Sequence, residues 1–240
     1  MMPADLATRQ ALAALSTGVV WDVLRVMGLP HQALHHSIRS LDPAMTVCGP
    51  AFCVKGQSWL GTPPKALAGQ PQPRYELFDH LYEDCVMLID SGGYDEAVVM
   101  GENFAISAVA AGCRGFVIDG AIRDAASLAN SRTPVFCRFC TPASSAGRWS
   151  IVAYEVPITL PGQTSSHVRV NPGDYVLADR DGAVIVPREY AAQVAHDAAR
   201  VNAIEEAQRE LLLAGKEDRQ SIYERFDRFV HSAPVQKKSF

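Results

Sequence analysis

The stretch "CVMLIDSGGYDEAVVMGENFAISAVAAGCRGFVIDGAIRD", residues 85–124, decides the fold. Its first six residues form a short apolar run that ends in Asp90-Ser91-Gly92-Gly93, the profile of a strand buried on both faces and followed by a turn. A helix is expected from Glu102 to about Ala111, closed by Gly112, and "GFVID" at 115–119 gives a second buried strand. A further helix begins near Arg123, and Pro134 introduces a strand at "VFCRF". Strands and helices alternating in this way, joined by right-handed crossovers, become parallel strands covered by helices.

Upstream, residues 4–15 have helical character. Ser16 or Thr17 caps a second helix through "VVWDVLRVMG", with Gly28 as its stop. "MTVCGPAFCVKG" reads as extended segments broken at Gly49-Pro50, and the Pro- and Gly-rich run 61–74 reads as a surface loop or flap. Downstream of residue 150, "EVPITL" and "HVRVNPGDYVLADRDGAVIVP" are short strands with turn signals at 171–174 and 179–182, a β-rich segment expected beside the α/β layer. From Arg188 to Ala214, the spacing of Val194, Ala198, Val201, Ile204 and Leu211 predicts a helix stopped by Gly215. "SIYERFDRFV" is a second amphipathic piece before a polar, frayed tail. No period of 20 to 50 residues recurs, which excludes solenoids and propellers. The expectation is one α/β domain over 1–187 and a C-terminal helical extension over 188–240.

Composition narrows the function. The 240 residues are 48% hydrophobic and 20% charged, with a net charge of −4 and no Lys/Arg run, which argues against a surface built for nucleic acid. Small anions need only local positive charge. No run approaches the roughly 18 apolar residues of a membrane span, and the N-terminus, with Asp5, has no signal-peptide core, so a cytoplasmic protein is expected. Six cysteines are too few for a disulfide scaffold. Cys137 and Cys140 have the spacing of half a zinc site without a second half and read, like Cys48 and Cys53, as buried thiols.

The chain has no dinucleotide or P-loop glycine signature, no G-x-S-x-G and no H-E-x-x-H. Chemistry must then come from the carboxyl ends of the strands, where ligands bind in open α/β sheets. Two loops qualify, the one after Asp90 and the one after Asp119. If their strands are neighbours, the helix start at Gly101–Phe104 and the pair Arg123-Asp124 face one crevice. Helix-start amides bind a carboxylate, and Gly101 permits close approach. Arg123 offers a fork for a carboxylate or 2-oxo oxygen, and Asp124 offers a hard oxygen for Mg²⁺. On spacing alone, an acid favouring a helix dipole and a surface ion pair explain the same residues.

The order acid, twenty residues, Arg-Asp, here Glu102 and Arg123-Asp124, resembles the RraA-like family, whose enzymatic members include class II 4-hydroxy-4-methyl-2-oxoglutarate and 4-carboxy-4-hydroxy-2-oxoadipate aldolases. "GPAFCVKG", "NPGDYVLADRDGAVIVP" and "IEEAQRELLLAG" extend the resemblance over most of the chain. It implies a layered α/β/α sandwich of the swivelling type, in homotrimers or homohexamers, with the C-terminal extension packing on a neighbouring subunit. It also implies Mg²⁺ or Mn²⁺ held by Asp124, with Glu102 and a neighbouring subunit's Glu205 acting through water. Arg123 would bind the pyruvyl part and stabilise its enolate, and the amides of Gly101, Glu102, Asn103 and Phe104 would hold the substrate carboxylate. The implied activity is retro-aldol cleavage of a 4-hydroxy-2-oxo acid to pyruvate, with decarboxylation of oxaloacetate-like compounds. The implied alternative is a non-catalytic regulator that binds a ribonuclease. Glu102 stands where the well-known aldolases have Asp, and "SSAGRWSIVAYE" departs from them as an insertion. The base for the substrate hydroxyl is not singled out among His31, His35, His36, His80 and His167.

Overall fold

The computed structural model describes residues 5–59 and 73–226. The expected flap over 61–74, apart from the backbone of its last two residues, and the expected frayed tail lie outside the described residues. The chain opens with α1 (Leu6–Ala13), whose first turn is capped by the Asp5 carboxylate, and α2 (Thr17–Val26), capped by the Ser16 hydroxyl. Gly28, at φ +85°, ends the second helix. Then follow β1 (Arg39–Ser40), β2 (Val47–Ser58), α3 (Pro73–Glu76), β3 (Val86–Asp90), β4 (Val98–Met100), α4 (Glu102–Ala110), β5 (Gly115–Ile122), α5 (Ala125–Asn130) and β6 (Val135–Cys140). The second half holds β7 (Trp149–Tyr154), β8 (Ile158–Pro161), β9 (His167–Val170), β10 (Tyr175–Asp179), β11 (Gly182–Val186), α6 (Ala191–Ala214) and α7 (Arg219–Arg225).

The architecture is mixed α/β. The main sheet runs β1-β6-β5-β3-β2-β10-β11, with β4 added to β5 and β7 added to β2. Its centre, β6-β5-β3-β2, is parallel, as the alternation of strand and helix requires, and β1, β7, β10 and β11 join antiparallel. Side chains alternate across it with period two. Phe52, Met87, Ile89, Phe116 and Ile118 pack toward α4, while Ala51, Cys53, Val86, Leu88, Val117 and Phe136 pack on the other face. That second face also gathers Val176 and Ala178 of β10, Ala183 and Ile185 of β11, and four residues of the β8-β9 hairpin into one cluster. The sheet is nearly closed into a barrel, because the chain after α2 links its two ends. The segment after α2 spans the remaining gap: Ala33 bridges Val184 of β11, and Arg39 pairs with Cys137 of β6. Helices α1, α2 and α6 cover the outer face of β10-β11 through Leu12, Val20, Leu24, Val194, Ala198 and Val201. Each such fully buried Leu or Val side chain contributes roughly 1.5–3 kcal/mol.

One expectation is corrected. Gly49-Pro50 does not break the chain, because β2 is one twelve-residue strand. It changes partner there instead: residues 47–50 pair with β10, and Ala51 onward pairs with β3. A proline lacking its N–H fits such a changeover. A side chain at Gly49 would meet the Asp84 carbonyl oxygen at 2.3 Å, so glycine is needed for close passage.

Candidate active site

The separation of 22 residues between Gly101 and Arg123 is closed by the small strand β4. It pairs parallel to the end of β5, Val98 opposite Ala121 and Met100 opposite Ile122, and the Arg123 amide donates to the Met100 carbonyl at 3.1 Å. The next residue on one side starts α4, and the next on the other turns the chain into α5. That turn is made by Asp124 in the left-handed region (φ 60°, ψ 32°), which Asp tolerates better than most residues. Its carboxylate is thereby aimed back at the start of α4, where Oδ2 accepts the Glu102 amide at 3.0 Å. The Arg123 guanidinium lies beside it, Nε to Oδ2 3.6 Å, with both side chains roughly half exposed.

Gly101 is extended (φ −130°), so it is not there for backbone freedom. A Cβ at this position would sit 3.0 Å from Asp124 Oδ2 and 3.1 Å from Arg123 Nε, so glycine lets both groups close on the helix start. Glu102 turns toward α5, where its carboxylate accepts a hydrogen bond from the Ser127 hydroxyl. Asn103 is exposed, whereas the Phe104 side chain is buried against Phe78, ring centroids 5.1 Å apart, so Phe104 can offer the site only its amide. Gly101, Glu102, Asn103, Phe104, Arg123 and Asp124 all line one open cleft of about 410 Å³.

The opposite wall is the segment that the sequence marked as an insertion. Ser144, Ser145, Ala146, Gly147, Trp149 and Ser150 line it. It is tied to the site by a bridge from Ser144 to Val98, by the Val98 amide on the Ala143 carbonyl (3.0 Å), and by the Trp149 indole on the Ser91 carbonyl (2.9 Å). Sequence reading missed this wall and also β4. The apolar run "AVVM" before Gly101 was the available signal for the strand.

Glu205 does not line the cleft; it is half-buried on α6, the helix that packs on α1 and α2. None of the five singled-out histidines lines it either. His31 bonds the Thr164 hydroxyl, His36 bonds the Gln163 side chain, His35 bonds the Ser37 hydroxyl, and His80 packs on Tyr154. His167 sits on β9. Cys48, Cys53 and Cys137 are buried as expected. Cys140 is not, because it ends its strand at the exposed edge.

No group of three or more His, Cys, Asp or Glu among the described residues could hold a metal. Asp124 supplies one half-exposed hard oxygen donor in a cleft that Glu102 also lines. One carboxylate with water and ligand oxygens is an ordinary Mg²⁺ shell, so the residues fit an ion whose coordination is completed from outside the chain.

The profile described as RraA-like, Aldolase/RraA, matches residues 17–185. The chain belongs to the RraA-like family. A Halalkalibacterium halodurans protein provisionally named 4-hydroxy-4-methyl-2-oxoglutarate aldolase is 34% identical over 122 residues, covering 51% of this chain and 55% of that one. Protein DlpA of Legionella pneumophila is 26% identical over 206 residues, 86% of this chain and 32% of its own length. The chain thus spans about a third of one relative and just over half of the other. The crystal structure of Streptomyces coelicolor RraAS2, described as an unusual member of the RNase ES inhibitor RraA family, superposes with a TM-score of 0.75 at 24% identity. It covers 87% of this chain and 99% of that one, which shows a common fold. Among the described residues, no helix is long and apolar enough to cross a membrane.

Proposed function

We propose that this RraA-like protein is a divalent-metal-dependent carbon–carbon lyase that cleaves a 4-hydroxy-2-oxo acid to pyruvate and also decarboxylates oxaloacetate-like compounds. The observation that carries the reading is the convergence of three groups in one cleft: the α4 N-terminus, the Arg123 guanidinium and the Asp124 carboxylate. Residue types suited to a carboxylate, a 2-oxo oxygen and a hard cation meet where family relatives carry an aldolase name.

Asp124 would hold the ion, and Glu102 would hold water around it. The ion, Mg²⁺ or Mn²⁺, would supply Lewis-acid polarisation of the 2-oxo group. The substrate carboxylate is held at the first turn of α4, where the helix dipole and open amides favour an anion. The Glu102 amide already donates to Asp124 Oδ2, so Asp124 shares the helix start with that carboxylate. Loss of the 4-hydroxyl proton lets the C3–C4 bond break. C4 leaves as a carbonyl, and the electron pair moves into the pyruvyl unit as an enolate. Arg123 stabilises that charge as it develops, and protonation at C3 from water gives pyruvate. Among the described residues lining the cleft, Glu102 and Asp124 are the carboxylates, and none of the singled-out histidines is there to take the proton.

The test is pyruvate release from oxaloacetate and from 4-hydroxy-2-oxo acids, with Mg²⁺ or Mn²⁺ and with chelator. Metal-dependent pyruvate is expected; full activity in chelator or in Asp124→Ala overturns the reading. Tight binding to a ribonuclease without any pyruvate release would favour the regulator instead. Glu205 keeps its proposed role only across a subunit contact in a homotrimer or homohexamer, and Glu205→Gln in the assembled protein tests it by metal affinity.

A further inference from the structure

A second cleft lies at the opposite end of the parallel strands, where the loops before β2, β3, β5 and β6 meet the end of α1. Its volume is about 780 Å³, in the range of small-molecule sites. Three arginines line it: Arg9 on α1, Arg114 before β5 and Arg132 before β6. Asp84 holds the first two, one on each oxygen, and so fixes where their guanidinium groups stand. The Asp84 amide donates to the Gly112 carbonyl at 3.0 Å and the Arg114 amide to the Cys85 carbonyl at 2.8 Å, which laces these two loops together.

Arg132 owes its place to its backbone. It lies in the left-handed region at φ 61°, which arginine adopts less readily than glycine or asparagine. Asp84 is left-handed too, at φ 66°. Among the described residues, four other than glycine have positive φ: Asp84, Asp124, Arg132 and Glu155. Three of these four line a cleft, Asp124 the active one and Asp84 and Arg132 this one. Backbone strain of this kind concentrates where a placed group has a use.

Charge and shape define the ligand class. Three guanidinium groups against Asp84 and Asp179 leave the lining with one net positive charge. The Asp179 carboxylate is committed elsewhere: it accepts the Thr17 amide at 2.9 Å, the Thr17 hydroxyl at 2.7 Å and the Asp181 amide at 2.9 Å. Guanidinium forks match the terminal oxygens of a phosphate, and Ser16, Thr46 and Thr133 add hydroxyls. Leu15, Val47 and Leu177 add apolar surface for an organic group beside it.

We propose that this cleft is a second ligand site, separate from the cleft of Arg123 and Asp124, and that it binds the phosphate group of a small phosphomonoester. Inorganic phosphate and phenyl phosphate are titrated calorimetrically into the full-length protein, into Arg132→Gly and into Arg123→Gln. Glycine adopts the backbone at 132 freely, so the loop is kept while the guanidinium is lost. Phenyl phosphate is expected to bind saturably and about tenfold more tightly than inorganic phosphate, because the apolar lining takes the ring. Arg132→Gly is expected to weaken that binding about tenfold, and Arg123→Gln to leave it unchanged. Absence of saturable binding overturns the proposal, as does binding that survives Arg132→Gly; a fall in Arg123→Gln instead would place the anion in the active cleft. Inorganic phosphate bound as tightly as the ester would overturn the assignment to a phosphomonoester.

Discussion

The two ends of the parallel strands each carry an Arg–Asp arrangement, and the arrangements differ in how completely the carboxylate is used. At the N-terminal end, Asp84 is held by two arginines: Arg9 Nη2 at 3.0 Å, with the Arg9 side chain only 11% exposed, and Arg114 on the other oxygen. At the C-terminal end, Asp124 has one loose guanidinium at 3.6 Å and one backbone amide, and is 42% exposed. Asp84 also lines a cleft, with Arg9 and Arg114, so a cleft and a charge pair do not by themselves mark a catalytic centre. A carboxylate whose two oxygens are each committed to a guanidinium, one of them buried, is a structural tie. A carboxylate left short of partners beside a helix start is free to take a ligand.

Asp124→Asn is the largest break in that comparison. The amide can keep the left-handed turn and accept the Glu102 N–H, but it removes the charge on which the proposed ion depends. Pyruvate release should fall about a thousandfold with the melting temperature nearly unchanged. Steady-state kinetics beside a thermal melt decide it, and a large loss of stability with retained turnover would make Asp124 the structural tie. Asp84→Asn should behave in the opposite sense. It leaves Arg9 unpaired and mostly buried, a cost of about 2 kcal/mol once the 28% exposure of Asp84 is discounted. For a chain of this size that is a fall of about 6 °C in melting temperature, with kcat/KM within about twofold of wild type.

Gly101→Ala asks whether close approach at the helix start matters. The backbone there suits alanine, so stability should hold. The added Cβ must push the Asp124 carboxylate or the Arg123 side chain, whose nearest atoms lie 3.0 and 3.1 Å away. A fall of about tenfold in kcat/KM is expected, because small displacements of positioned groups are costly. An unchanged rate would show that neither group needs its observed place.

The parallel strands at 85–90, 115–119 and 135–139 were legible in the sequence because buried runs bounded by Gly and Pro have few alternatives. Glu102, Arg123 and Asp124 were legible as one cluster for the same reason: adjacent parallel strands carry their following loops to one edge. The 144–150 wall was not. Its residues are short and polar, and they reach the cleft only through the bridge from Ser144 to Val98 and the ties of Val98 and Trp149. Those are long-range pairings without local periodicity. β2 was misread for a related reason. Gly49-Pro50 is a local turn signal, but the change of partner from β10 to β3 gives the pair a place inside one strand.

A third Arg–Asp pair lies between the two extremes and gives the smallest effect. Asp119 on β5 is buried, its Oδ1 is 3.5 Å from Arg138 Nη1, and that oxygen has no hydrogen-bond partner. Burial raises its pKa above the ordinary aspartate value of 3.8, and Arg138 offsets this only in part. Where the folded pKa is the higher one, the folded state binds more protons than the unfolded chain. The stabilising contribution is then full below about pH 3.8 and is lost as pH rises through the folded value. Asp119→Asn removes that dependence while keeping the shape. Its melting temperature relative to wild type should therefore shift upward as pH is raised from 4 to 7. Melting curves of both proteins across that range measure the shift. A difference that stays flat would mean that Arg138 fully compensates burial, and one that moves the other way would class Asp119 with the saturated Asp84.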